Sequence, residues 1–430
     1  MAAPAEAGLV RAIRRWDLTA LAVNSIIGAG IFGLPSQLFS RVGSYSLVAF
    51  VVCAFVVLLI ILCFAEVSSR FTETGGPYLY AREAFGSVIG FEVGWMIWLA
   101  RMTAFAANCN LLMGYLGFFI PAADSPPGRV VASCVVVLGL TTVNLRGVRN
   151  ATVVNNVFTA SKLIPLTLFI VAGLLVIRPA SYTFGVRPAF GTFSASVLLL
   201  VYAFSGFEMT TIPGGESRDP RRDMPRALVV AILFVAVFYF LIQLVAIGTL
   251  PTLATSTRPL ADAGARFLGP LGGAVISAGA VASIVGNLNV IVLVGARIPF
   301  AMAERGELPA FLAATHPRFR TPHVAILATS AVVLGLTLSG TFVYLATISV
   351  IARLLSYAAT CAALPALRRK RSELTASFTA PAGVAVSIAA LLLIAWLLSN
   401  STLRQARDAG IGAAIGLAIY FACTRTPKTS

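Results

Sequence analysis

The stretch Asn24-Ser25-Ile26-Ile27-Gly28-Ala29-Gly30-Ile31-Phe32-Gly33 lies in the middle of the first long apolar segment, and Pro35 follows it. A glycine inside a helix costs about 0.5–1 kcal/mol relative to alanine and lets the backbone approach a ligand closely. In a lipid bilayer an interrupted helix is tolerated only where it faces protein, water or a ligand, because its backbone groups need hydrogen-bond partners. The stretch therefore predicts a broken membrane helix that forms one half of a solute-binding site.

The composition places the whole chain in a lipid bilayer. Of its 430 residues, 58% are hydrophobic and 11% are charged, whereas a soluble domain carries about 25% charged residues. The mean hydropathy is +0.90. The net charge of +16 comes from basic residues scattered between apolar runs, a pattern that orients a membrane protein and argues against nucleic acid as a partner.

Twelve apolar segments have about the length needed to cross the bilayer core. The predicted spans are approximately 18–40, 44–69, 87–119, 129–145, 151–177, 192–214, 226–250, 266–303, 322–338, 341–366, 379–399 and 406–423. With the N-terminus inside, the inner segments hold most of the basic residues, including the run at 368–371, and the outer loops hold isolated arginines. Because cytoplasmic loops are enriched in Lys and Arg, both termini are predicted to be cytoplasmic.

The sixth predicted span contains a second interruption. The run Leu200-Val201-Tyr202-Ala203-Phe204-Ser205-Gly206-Phe207-Glu208 places a glycine, a hydroxyl and a carboxylate at mid-span, and Pro-Gly-Gly follows at 213–215. Interruptions at corresponding positions of two halves mark the binding site of transporters built from inverted repeats. The predicted fold is an all-α polytopic membrane protein with a five-plus-five inverted repeat, broken helices 1 and 6, and two additional C-terminal helices. Its parts are a cytoplasmic segment at 1–17, a first five-helix repeat at 18–177, a second inverted repeat at 192–366, helices 11 and 12 at 379–423, and a cytoplasmic tail at 424–430.

Three motifs resemble the amino acid–polyamine–organocation (APC) transporters. Residues 28–35 are similar to that family's G-x-G-I-F-x-x-P signature, and residues 74–86 to its G-G-x-Y-x-Y…F-G element. Residues 204–208 with 216–227 resemble its F-x-G-x-E…E-x-x-N-P-x-R-x-I-P-x-A stretch. The resemblance implies a bacterial amino acid permease of the inner (plasma) membrane with the LeuT-type fold, a secondary transporter that works by alternating access.

The two interruptions suit the two ends of an α-amino acid. Unwound backbone in the first break frees N–H groups, and the half-helix after it presents the positive end of its dipole, so that both attract a carboxylate. Unwound carbonyls in the second break attract an ammonium. The alternative is that the glycines only allow close helix packing, but the family resemblance favours binding. The predicted substrate-binding residues are Ser25, Ile26, Ile27, Gly28, Ala29, Gly30, Tyr202, Ala203, Phe204, Ser205, Gly206 and Phe207.

Other residues are candidates for gating and selectivity. By the resemblance, an aromatic side chain lies over the substrate as a thin gate, and Tyr202 is the first candidate and Phe204 the second. Selectivity for the substrate's side chain is expected from spans three, eight and ten. The candidates there are Met102, Asn108, Asn287 and Ser356.

Lys162 and Glu208 are ionisable residues predicted to lie inside spans, where a charge needs a partner or a function. The resemblance implies that Lys162, in the context Lys-Leu-x-Pro-Leu, replaces a sodium ion and contacts carbonyls of the first break and hydroxyls of span eight. Lys162 is equally a candidate to carry a coupling proton or to be a fixed structural cation. Glu208 is the other proton-coupling candidate, or an ionised partner of Arg101 or Arg353.

The leading functional hypothesis is a Na⁺-independent secondary amino acid transporter, either a proton-coupled symporter or an exchanger. The alternative is a transporter of polyamines or other organic cations, which would need carboxylates besides Glu208. A membrane enzyme or an ATP-driven pump is disfavoured because the chain lacks hydrolase, metalloprotease and P-loop motifs. No cofactor and no metal site are predicted, since the six cysteines are isolated and the two histidines are too few. The oligomeric state stays open.

Overall fold

The computed structural model describes residues 14–73, 75–146, 151–212, 217–371, 373 and 375–425, with the side chains of all except 151–161 and 425. Several predicted features lie outside this part of the chain. They are most of the N-terminal segment, Thr74 of the second motif, the Pro-Gly-Gly run at 213–215, Glu216 of the third motif and nearly all of the C-terminal tail.

The described residues form α-helices joined by short 3₁₀ helices and loops, and they contain no strand, which confirms the all-α prediction for this part of the chain. The α-helices are α1 (Arg15–Ile26), α2 (Gly30–Val42), α3 (Ser46–Ser68), α4 (Gly76–Phe85), α5 (Ser87–Leu116), α6 (Pro126–Arg146), α7 (Ala151–Leu174), α8 (Phe190–Phe204), α9 (Pro220–Thr249), α10 (Pro259–Gly295), α11 (Arg297–Glu304), α12 (His323–Ser339), α13 (Phe342–Lys370), α14 (Gly383–Leu398) and α15 (Leu403–Arg425).

Many of these helices are long and apolar enough to cross a membrane. By length and composition, seven helical stretches of the described residues qualify: Gly30–Ser68, Ser87–Leu116, Pro126–Arg146, Pro220–Thr249, Pro259–Glu304, Phe342–Lys370 and Leu403–Thr424. Four further apolar helices are shorter: Lys162–Leu174, Phe190–Phe204, His323–Ser339 and Gly383–Leu398. The chain is therefore a multi-pass membrane protein, and the count of twelve spans stays a prediction.

The helix boundaries differ from the predicted spans in three places. The region between the second and third spans contains α4, a helix too short to cross a bilayer. Helix α10 begins before the eighth predicted span, at Pro259, but Gly269 inside it is non-helical (φ 72°, ψ −175°), so that α10 consists of two helical parts on either side of Gly269, and α11 follows. The sixth span stops being α-helical at Phe204.

Both predicted interruptions are present in the backbone. Helix α1 ends at Ile26 and α2 starts at Gly30, with Ile27 in a non-helical conformation (φ −71°, ψ 81°). Helix α8 is followed by Ser205 in an extended conformation and by Gly206 with a φ of +113°, before a 3₁₀ helix over Phe207–Thr211. A positive φ of this size is readily adopted by glycine alone, so Gly206 fixes where α8 ends.

The two interruptions are in contact with each other. A Cβ atom on Gly206 would lie 2.2 Å from the carbonyl oxygen of Ser25, and one on Gly30 would lie 3.1 Å from the Cα atom of Ala203. Helices α5, α10 and α13 pack around this point, with α5 lying along α13. The fold thus brings two non-helical segments, far apart in sequence, into direct backbone contact.

Replacing Gly206 by alanine should destabilise the protein, because the new Cβ atom would overlap Ser25 and the residue would be held at a positive φ. The backbone strain alone is worth about 1–3 kcal/mol. The expected result is a lower thermal midpoint of the purified protein in detergent. The matched control is Gly335→Ala in α12, where a Cβ atom meets nothing within 4 Å; equal midpoints for the two variants would contradict the close contact.

Candidate functional site

A cavity of about 90 Å³ lies between the two interruptions. Since one water molecule needs about 10–15 Å³ on the same measure, the cavity accommodates several waters or a small solute. Its walls include nine of the twelve predicted substrate-binding residues: Ser25, Ile26, Gly28, Ala29, Gly30, Tyr202, Ala203, Ser205 and Gly206. Further lining residues are Arg101, Ala104, Asn108, Glu208, Met209, Asn287, Val290, Ile291 and Arg353.

The first interruption presents free hydrogen-bond donors beside the cavity. Within the described residues, the backbone N–H groups of Ala29 and Gly30 donate to no acceptor, and both residues line the cavity. They belong to the first turn of α2, where N–H groups have no partner within the helix. The positive end of the helix dipole lies at the same place, so this wall favours a negative group.

The second interruption presents a free acceptor beside the cavity. The carbonyl oxygen of Ala203, in the last turn of α8, accepts no hydrogen bond from the described residues, and Ala203 lines the cavity. The neighbouring carbonyl of Tyr202 accepts one from the Ser205 hydroxyl at 2.8 Å. The end of a helix where carbonyls have no partner carries partial negative charge, so this wall favours a positive group.

Three predicted substrate-binding residues do not line the cavity. Ile27 is fully buried in the core. The Phe204 ring packs against Tyr239 at 5.3 Å between ring centroids, and the Phe207 ring packs against Phe64 at 5.1 Å. The backbone leaves the helical conformation at each break, so neighbouring side chains there do not follow helical periodicity. The rings of Phe204 and Phe207 pack against the core on the side of the second break that faces away from the cavity.

Tyr202 lines the cavity and contacts Phe342, which lines a second cavity of about 200 Å³ together with Gly33 and Gln37 among others. The Tyr202 ring contacts the edge of Phe342 at 6.1 Å between centroids. Its hydroxyl donates to the Oδ1 atom of Asn108 at 2.6 Å. The Nδ2 atom of Asn108 in turn donates to the Oδ1 atom of Asn287 at 2.9 Å. This chain of hydrogen bonds joins α8, α5 and α10.

Lys162 contacts the backbone of the first interruption. Its Nζ atom donates to the carbonyl oxygens of Asn24 and Ile27, each at 2.6 Å, and so binds the chain on both sides of the end of α1. Lys162 also lines a small cavity of about 100 Å³ together with Ser283 of α10. The Ser283 hydroxyl makes no hydrogen bond to the described residues. The predicted contact with carbonyls is therefore present, and the predicted contact with a hydroxyl of span eight is absent among these atoms.

Glu208 is surrounded by donors. Its Oε1 atom forms an ion pair with the Nη1 atom of Arg353. Its Oε2 atom accepts hydrogen bonds from the Tyr357 hydroxyl at 2.7 Å and from the backbone N–H of Gly206 at 2.9 Å. Sequence analysis left Arg101 and Arg353 open as partners, and the structure places Arg353 in direct contact. The carboxylate thereby ties the second interruption to α13.

The expected selectivity residues divide into two groups. Asn108 and Asn287 line the cavity. Met102 is fully buried beside Gly295, and the Ser356 hydroxyl donates to the carbonyl oxygen of Ala352 at 3.1 Å, so neither reaches the cavity.

Sequence analysis did not associate Ala104, Met209, Val290 or Ile291 with the site. Ala104 could have been predicted from the sequence. It lies three residues after Arg101 and four before Asn108, and residues at this spacing share one face of a helix.

Comparison with known proteins assigns the family. The sequence model of the family described as "Amino acid permease" matches residues 13–420 of the chain. This match covers almost the whole sequence, including both interruptions.

Three similar proteins come from Bacillus subtilis (strain 168). The branched-chain amino acid permease BcaP is 27% identical, over 98% of this chain and 94% of its own length. The serine/threonine exchanger SteT is 29% identical, over 96% of this chain and 95% of its own length. The methylthioribose transporter is 26% identical, over 97% of this chain and 94% of its own length. The names of these relatives are those of transporters rather than enzymes.

Replacing Gly28 by valine should abolish solute binding without unfolding the protein. A Cβ atom at Gly28 would lie 3.7 Å from the Asn287 Nδ2 atom and 3.8 Å from the nearest backbone atom, so it fits, but the added methyl groups occupy the cavity. Binding of labelled amino acids to the purified protein measures the loss, and the thermal midpoint checks the fold. Gly139→Val in α6, which has nothing within 4 Å, is the control. Normal binding by Gly28→Val would exclude the cavity as the site. Gly30→Val is less informative, because its side chain would push α2 away from Ala203.

Proposed function

The chain belongs to the amino acid permease family, and on that basis we propose that it is a Na⁺-independent secondary transporter of amino acids that works by alternating access. The observation that carries this proposal is the cavity between the two helix interruptions, with the free N–H groups of Ala29 and Gly30 on one side and the free carbonyl oxygen of Ala203 on the other. An α-amino acid has a carboxylate and an ammonium on a single carbon atom. The two walls are complementary to these groups, and the contacts are made by the protein backbone. Other residues would then recognise the side chain of the substrate.

The proposed topology has twelve spans in a five-plus-five inverted repeat. In this arrangement α1 and α2 together form span one, and α8 with the 3₁₀ helix after it forms span six. The other spans are α3, α5, α6, α7, α9, α10, α12, α13, α14 and α15, while α4 and α11 lie between spans. The distribution of arginine puts both termini in the cytoplasm of a bacterial cell.

This orientation assigns a side of the membrane to each cavity. The 200 Å³ cavity is lined by Gly33 and Gln37 of α2, beyond the break from the N-terminus, and therefore faces outward. Tyr202 lines the central cavity, contacts Phe342 of this outer cavity and acts as the proposed thin gate. The cavity beside Lys162 is lined by Leu21 and Asn24 of α1 and lies on the inner side. Solute would pass from the outer cavity to the central one when the Tyr202 ring moves.

Lys162 supports the proposed independence from sodium. Its ammonium group supplies a fixed positive charge to the carbonyls of Asn24 and Ile27, a role that a bound cation would otherwise have. Loss of its proton would remove a charge-assisted hydrogen bond from each carbonyl, which offers a route for coupling a proton to the position of α1. Glu208 is the other candidate, but its three donors stabilise the ionised form. Proton-coupled symport and amino acid exchange both remain compatible with this arrangement.

The alternative of a polyamine or other organic cation transporter finds no support in the cavity. Its lining contains two arginines and a single carboxylate, Glu208, which is already paired with Arg353. A multiply charged cation would enter an environment with an excess of positive charge. Such like-charge contacts disfavour binding in a site of low dielectric.

Uptake by proteoliposomes containing the purified protein tests the proposed function. Labelled amino acids are offered in Na⁺ or choline buffer, with and without an inward proton gradient, and with and without unlabelled amino acid inside. We expect uptake that is equal in both buffers and is stimulated by the proton gradient or by internal amino acid. A strict sodium requirement would contradict the role of Lys162, and the absence of amino acid uptake under all conditions would refute the function.

Substituting Lys162 by methionine should reduce uptake by about tenfold or more, because each charge-assisted hydrogen bond it makes is worth about 1.5–3 kcal/mol. Initial rates in proteoliposomes measure this effect at matched protein content. The control is Lys370→Met, which removes the same charge at the exposed end of α13 and should leave the rate unchanged. If Lys162→Met transports normally, Lys162 neither braces the first interruption nor couples a proton.

A further inference from the structure

Arg101 is buried, and within the described residues it has no hydrogen-bond partner. It lies near the middle of α5, lines the central cavity and is 4% exposed. Its guanidinium donates no hydrogen bond to any atom in the part of the chain that the structure describes, and its Nε atom is completely shielded. A guanidinium stays charged and carries five N–H donors. Because an unpaired buried charge costs several kcal/mol, an acceptor that the chain does not supply is expected at this place.

The nearby carboxylate of Glu208 is already engaged. It uses one oxygen for Arg353 and the other for Tyr357 and the backbone of Gly206. A carboxylate has about four lone-pair positions, and three of them are occupied here. Glu208 is also the only acidic residue among those that line the cavity. The Glu208 carboxylate also attracts Arg101 through space, but its direct ion pair is with Arg353, so that Arg101 has no direct ion pair among the described residues.

The charges around the cavity predict the net charge of the solute. Two guanidiniums and one carboxylate leave an excess of one positive charge. A zwitterionic amino acid with an uncharged side chain is neutral and does not balance this excess. Its α-carboxylate is moreover directed towards the free N–H groups of α2. A second acidic group would supply the missing negative charge.

The position of Arg101 suits a contact with the side chain of the substrate. Arg101, Ala104 and Asn108 share one face of α5, and all three line the cavity. A substrate whose α-amino and α-carboxyl groups bind to the two interruptions directs its side chain towards the remaining walls. The α5 face is such a wall, and Arg101 is its charged member.

Given the proposed function, we propose that the transported amino acid carries a second acidic group, as aspartate and glutamate do, and that the guanidinium of Arg101 binds this group. Arginine and carboxylate form paired, parallel hydrogen bonds that are stronger than those between neutral groups. The corresponding amides, asparagine and glutamine, have nearly the same shape but no negative charge. Arg101 would thus be a specificity-determining residue that separates acidic from neutral amino acids.

The test measures uptake of labelled L-glutamate, L-aspartate, L-glutamine, L-asparagine and L-lysine by proteoliposomes that contain the full-length protein. For the wild type we expect each acid to be preferred over its amide by about tenfold or more, as for an interaction of about 1.4 kcal/mol. Arg101→Gln should reduce this preference by about tenfold or more. Arg101→Lys keeps the charge but not the paired geometry and should retain part of it. Arg407→Gln is the control. Arg407 is exposed, pairs with Asp408 and does not line the cavity, so that its replacement removes the same charge without changing the site.

The results distinguish a failure of the proposed role of Arg101 from a failure of the proposed amino acid transport. Uptake of neutral amino acids without uptake of glutamate or aspartate would overturn the role of Arg101 and leave the proposed function intact. No uptake of any amino acid would instead refute the proposed function. An unchanged preference in Arg101→Gln would also overturn the assignment of Arg101. If that variant does not fold, the preference of the wild type between each acid and its amide decides the substrate class, and Arg101→Lys tests the residue.

Discussion

The contact between Gly206 and the carbonyl oxygen of Ser25 is the constraint on which the central site depends. No side chain fits at residue 206, because a Cβ atom would lie 2.2 Å from that oxygen. The contact holds two non-helical segments together, so that the N–H groups at the start of α2 and the Ala203 carbonyl in the last turn of α8 face one cavity. In a lipid bilayer such unpaired backbone groups are costly. The protein tolerates them here because packed helices surround them and a polar solute can satisfy them.

Buried side chains with hydrogen-bond partners stabilise this arrangement. Lys162 binds the carbonyls of Asn24 and Ile27 from behind the first break. Glu208 connects the second break to Arg353 and Tyr357 of α13. The rings of Phe204 and Phe207 pack in the core beside the second break, whereas Tyr202 lines the cavity. Within the described residues, Lys162 and Glu208 therefore bind the backbone of the two breaks, whereas the guanidinium of Arg101 lines the cavity without a hydrogen-bond partner.

The sequence predicted the interruptions well because glycine and its neighbours leave a local signal. Gly28, Gly30 and Gly206 each occupy a position where a side chain would meet other atoms or enter the cavity. Residues whose role depends on direction were harder to predict. Phe204 and Phe207 flank the break but point into the core, because the backbone turns between them. The choice of Arg353 over Arg101 as the partner of Glu208 also needed the structure, since both arginines lie near the middle of their helices. Helix α4 was missed because glycines mark its start, as they do in loops.

The hydrogen bonds that join Tyr202, Asn108 and Asn287 have a consequence for how the outer barrier moves. The hydroxyl and the two amides are connected in series, and each depends on the orientation of the one before it. Turning the ring removes the donor of the Asn108 carbonyl oxygen, which then needs another hydrogen-bond partner. Because Asn108 also donates to Asn287 of α10, a movement of the Tyr202 ring would be transmitted to that helix.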